Sequence, residues 1–116
     1  MNENQRAALI ETYFTAIDED DFETLQPAVS EDVQFRSSAG VIDGVDELRA
    51  YLTNDRMFSN SVHDITRLVH HPEVSVCEGS VTGETPDGRV DAAFCDVFEF
   101  SPDDESIRSI SVYTRS

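Results

Sequence analysis

At Asn60 the rhythm of the apolar residues changes, and that change does most to limit what the chain can become. Before it, apolar residues recur at helical spacing. After it they alternate and β-branched residues become more frequent, which is the pattern of half-buried strands. Helices first and antiparallel strands afterwards predict an α+β fold, in which a curved sheet wraps one face around its helices.

The first helix is expected from Gln5 to Ile17, where Ala8, Leu9, Tyr13, Ala16 and Ile17 recur at helical spacing. It ends in the acidic turn Asp18-Glu19-Asp20-Asp21, whose carboxylates read as a solvated face and as caps for a short second helix. That second helix carries Phe22, Leu25, Ala28 and Val29, with Pro27 limiting its regularity. Asp43-Gly44 precedes a third, in which Val45, Leu48, Tyr51 and Leu52 share a face. Strands are expected near 33–37, 61–70, 73–84, 89–101 and 107–114. Pro86-Asp87-Gly88 closes a hairpin, and Pro102-Asp103-Asp104 turns the chain between the last two strands.

The 116 residues contain no linker, repeat or low-complexity stretch, and their 39% hydrophobic content suits one domain with one core. No apolar run approaches the length of a membrane span, and Met1 to Ala7 are polar, so a cytoplasmic location is expected. Asp and Glu number 24 against 8 arginines and no lysine, a net charge of -16. Such a surface repels nucleic-acid phosphates and anionic lipid, which argues against both as partners. Because the acids are dispersed among periodic apolar residues, the balance reads as adaptation to high salt. Cys77 and Cys95 read as buried free thiols, with a disulfide possible only if the strand register sets them opposite each other.

The most informative stretch is 92–100, where strict alternation puts Ala92, Phe94, Asp96, Phe98 and Phe100 on one face. Asp96 is a lone acid in an aromatic row. Burial there would push its carboxyl toward the neutral form, able to donate a hydrogen bond, unless it bonds to a neighbouring group. Further candidates for acid/base chemistry are His63, Asp64 and Glu78, whose direction flips with a one-residue change of register. A three-residue hairpin loop would set Glu78 opposite Asp96, and a four-residue loop would set Gly79 there. The three histidines have no metal-ligand spacing. Nor does the sequence contain a nucleophile elbow or a phosphate loop, so no metal or cofactor is expected.

Several segments together resemble the nuclear transport factor two-like superfamily, within it the SnoaL-like proteins and ketosteroid isomerases. They are Tyr13-Phe14-Thr15-Ala16-Ile17-Asp18, Ser30-Glu31-Asp32-Val33, Ile42-Asp43-Gly44-Val45, and Cys95-Asp96-Val97-Phe98-Glu99-Phe100 followed by Ile107-Arg108-Ser109-Ile110. The resemblance implies a cone-shaped curved antiparallel sheet closed by three helices from the amino-terminal half, often dimeric. It also makes Tyr13 and Asp96 similar to the isomerase pair that binds a carbonyl oxygen. Tyr13 reads equally well as core. Where the isomerase carries its aspartate base this chain has Ser37, which cannot abstract a carbon-bound proton unaided.

The expected function is a small-molecule pocket, as a cofactor-free acid/base enzyme of isomerase, cyclase or hydrolase type. Its partner would be a small apolar or carbonyl-bearing molecule, an epoxide or a polyketide-like compound. A non-catalytic binding or dimerisation domain of the same fold is the alternative. Tyr13, Ile17, Tyr51, Phe94, Asp96, Phe98 and Ile110 are expected to line one cavity, with Ser37 at its edge.

Overall fold

The structure, a computed structural model, describes residues 2–56 and 58–115. Helix α1 (Glu3–Glu19) starts where the Asn2 side chain accepts the Gln5 N–H, and stops where Asp20 takes a left-handed φ of 54°. Its buried stripe runs Arg6, Ile10, Tyr13, Phe14, Ile17. The stripe is rotated from the expected one, leaving Ala8 exposed, because Phe14 and Ile10 offer more apolar surface than Ala8.

Asp21 caps α2 (Phe22–Leu25) by accepting from the Thr24 N–H and hydroxyl, and Pro27 then tightens the chain into a 3-10 turn. Val29 begins strand β1 (Val29–Ser37) instead of ending the second helix. The short strand β2 (Gly40–Asp43), not foreseen in the sequence, folds back on β1. Helix α3 (Val45–Ala50) passes into a wide turn over Tyr51–Asp55, closed by Arg56 N–H donating to the Tyr51 carbonyl at 2.9 Å. Strands β3 (Ser59–His70), β4 (Ser75–Thr85), β5 (Gly88–Phe100) and β6 (Ile107–Arg115) complete the chain.

The six strands form one sheet in the order β2-β1-β6-β5-β4-β3. All neighbours are antiparallel except β1 and β6, which run parallel, so the sheet is mixed where an antiparallel one is expected. Helices α1 and α3 lie on its inner face over β3 and β1. The core between them holds Ile10, Leu25, Val33, Leu48, Phe98, Ile107 and Ile110, each at most 1% exposed. Among the described residues no helix is long and apolar enough to cross a membrane.

The β4–β5 hairpin turns on two residues, Pro86 and Asp87, because Gly88 at φ 124° is already paired with Thr85. Neither expected loop length applies. The register sets Cys77 opposite Asp96 and Glu78 opposite Cys95. The two cysteines therefore stand on opposite faces, and both are free thiols.

Candidate active site

Along β5 the alternation buries Phe94, Asp96, Phe98 and Phe100 on the inner face. Asp96 is 2% exposed, and its Oδ1 has no hydrogen-bond partner among the described residues. A carboxyl stripped of water cannot easily ionise, and burial raises Asp96 to about 7. At neutral pH the group is divided between acid and carboxylate. Tyr13 of α1 packs its ring 5.6 Å from Phe98, and burial first, with the nearby Asp96 second, holds its phenol well above the ordinary range. Cys77, across from Asp96, is raised to about 12 by burial and then by the same carboxyl, so it is an inert thiol.

A second polar cluster bridges the end of α1 and the start of β3. Asp18 Oδ1 accepts from Ser61 Oγ at 2.7 Å and lies 2.5 Å from His63 Nδ1, while Oδ2 accepts the His63 backbone N–H at 2.9 Å. The His63 ring lies 4.9 Å from Phe14 and 5.4 Å from Phe94. Burial lowers His63 below the usual imidazole value, against the pull of Asp18 and with help from Arg56.

Beside this cluster lies a cavity of about 300 Å³, walled by residues that include Ile17, Phe22, Leu25, Leu52, Arg56 and Phe58. Arg56 links the two: its Nη2 donates to Ser61 Oγ at 3.1 Å. Phe58 rests where a side chain on Gly83 would stand, the ring lying 2.0 Å from the position of a Cβ there.

The residues expected to line a single cavity divide between the packed interior and this cavity. Ile17 walls it, while the rings of Tyr13, Phe94 and Phe98 pack with Phe14 at centroid distances of 5.0 to 6.1 Å and fill the interior. Tyr51 is half-buried against Phe35, and Ile110 is fully buried opposite Phe98. Ser37 is half-buried at the end of β1, its hydroxyl accepting the Ala39 N–H at 3.1 Å, so it caps the β1–β2 turn. Glu78 is excluded from the interior: the two-residue hairpin puts it on the outer face, 3.9 Å from Arg67. Asp64 is exposed too. Among the described residues no three His, Cys, Asp or Glu side chains converge as metal ligands.

Asp18, Ser61 and Arg56 are polar residues that the sequence reading passed over. Asp18, half-buried, follows Phe14 by four positions and so lies on the same side of α1, which is the signal that singles it out from the acids around it.

A family profile for the SnoaL-like domain matches residues 10–110, nearly the whole of this architecture. The chain belongs to the SnoaL-like family. Among solved structures similar to this SnoaL-like domain is a provisionally assigned SnoaL-like polyketide cyclase of Shewanella denitrificans OS-217. It is 16% identical, with 95% of this chain and 90% of that chain covered and a TM-score of 0.83. An LEH-like epoxide hydrolase of M. tuberculosis is 18% identical, covering 97% of this chain and 84% of its own, with a TM-score of 0.81. SalBIII, an epoxide hydrolase/cyclase-like enzyme of pyran ring formation in salinomycin, is 18% identical over 98% of this chain and 93% of its own, TM-score 0.82. At these identities the likeness is one of fold. Comparison with curated proteins gave no match.

Proposed function

We propose that this SnoaL-like domain is a cofactor-free acid/base enzyme acting on a small carbonyl or epoxide compound, with Asp96 and Tyr13 as hydrogen-bond donors to the substrate oxygen. The observation that carries this reading is the Asp96 carboxyl, buried in an aromatic interior, with one oxygen unpartnered among the described residues, and raised to about 7. A protonated acid in that position donates a hydrogen bond without first shedding water, and a phenol held in its protonated form does the same. Two such donors stabilise charge as it develops on a carbonyl or epoxide oxygen. The fold's likeness to polyketide cyclases and epoxide hydrolases agrees with substrates of that chemistry.

Ser37 cannot serve as base, so ketosteroid isomerase turnover is not expected. Oxygen binding needs only the donors. Titration with a series of substituted phenols should give saturable binding that weakens by about 1 to 3 kcal/mol in Tyr13→Phe and in Asp96→Ala. Unchanged affinity in both variants would make these residues core alone, and the proposed donor site would fall.

A further inference from the structure

The hydrogen-bond directions around Asp18 fix the state of its neighbour. Arg56 can only donate, so Ser61 Oγ accepts there and passes its own hydrogen to Asp18. The His63 backbone N–H also donates to Asp18. With Asp18 accepting throughout, the hydrogen between it and His63 belongs on Nδ1, and the lone pair of the neutral ring is on Nε2. Among the described residues nothing hydrogen-bonds to Nε2. The His63 and Tyr13 rings both pack on Phe14, at 4.9 and 5.0 Å, so they stand no farther apart than those two distances together.

If Asp18 served only to tie α1 to β3, the bond to the backbone N–H would suffice. The second oxygen, set on the ring and braced by Ser61 and Arg56, orients the imidazole as well. We propose that His63 is a general base and Asp18 the residue that positions it, for carbonyl substrates with an acidic hydrogen on the adjacent carbon. The proposal rests on the reading of Tyr13 and Asp96 as oxygen donors.

Nε2 takes the proton from the carbon beside the carbonyl. The C–H electron pair becomes the new carbon–carbon double bond, and the carbonyl π pair moves onto the oxygen held by Tyr13 and Asp96. Asp18 faces the resulting imidazolium. Return of that proton to another atom of the enolate, or to the alkoxide of a ring closure, restores neutral His63. Burial and Arg56 keep the ring uncharged beforehand, while Asp18, the carboxylate that touches it, acts the other way. His63 stands on β3 and Ser37 on β1, at different ends of the sheet, so the proton it reaches is not the one an isomerase base would take.

The test uses 5-nitrobenzisoxazole, whose ring opens when a carbon-bound proton is removed, with phenol titration alongside. The opening rate should rise with pH as His63 deprotonates, and His63→Gln should lose at least about a hundredfold. Asp18→Asn should lose about tenfold and move the pH midpoint to more acid values, because Asp18 raises it. Phenol affinity should hold in both variants. Wild-type rates in either variant, or no opening at all by a wild type that binds phenol, would overturn the base and leave the donor site standing. Loss of phenol binding by the wild type with His63-dependent opening intact would instead sink the donor site alone. Should the variants fail to fold, nitrogen-15 spectra of the wild type decide. A proton on Nδ1 and none on Nε2 agrees with the proposal, and the opposite tautomer overturns it.

Discussion

Burial raises the Asp96 carboxyl from its ordinary 3.8 to about 7, so the folded chain keeps a proton there that the unfolded chain has already released. Stability from this group is thus fully present below pH 3.8 and is lost as pH rises through about 7. Between those values the wild type should weaken by up to about 1.4 kcal/mol per pH unit relative to Asp96→Asn, which has no proton to lose. Urea unfolding of both proteins across that window measures it, and parallel curves would show that Asp96 is not desolvated. Asp96 was legible in the sequence because strict alternation among phenylalanines gives a carboxylate only one face to occupy. The Asp18–His63 pair was not, since the spacing from Phe14 can turn Asp18 inward but cannot name as its partner an imidazole 45 residues away.

Between elements, a second polar joint is also one that the sequence hid. Arg6, 3% exposed, pairs with Asp104 at 3.1 Å, donates to the His71 and Pro72 carbonyls at 2.7 Å, and lies 4.7 Å over the Phe100 ring. It fastens α1 to the β3–β4 and β5–β6 turns. Removing one member of a buried pair strands the other, so Arg6→Ala should cost about 3 kcal/mol, with little change between low and high salt, because a pair this little exposed is weakly screened. Chemical denaturation at two salt concentrations checks this, and a loss that vanishes in high salt would mark a surface pair. Apart from β2, which was missed, the strands were placed to within a few residues by their alternation. Register was not, because the hairpin turned on whether Gly88 counts as loop or strand, and one such residue decides whether Glu78 or Cys77 faces Asp96.

For the molecule as a whole, the net charge of -16 sets the terms of stability. Its exposed ion pairs among the described residues, Arg67–Glu78 at 3.9 Å, Arg89–Asp91 at 3.7 Å and Arg108–Glu99 at 3.8 Å, are too long and too wet to offset that repulsion. The melting temperature should therefore climb from low to multimolar potassium chloride as screening relieves it, and a flat profile would contradict this. The parallel pairing of β1 with β6 has a consequence for how the chain is made. Strands β3 to β6 can zip together hairpin by hairpin as they emerge from the ribosome, but β1 must wait for β6. A nascent chain stalled before Ile107 would hold Val29, Val33 and Phe35 without their final neighbour, making β1 the segment that a chaperone would shelter and a protease would cut during synthesis.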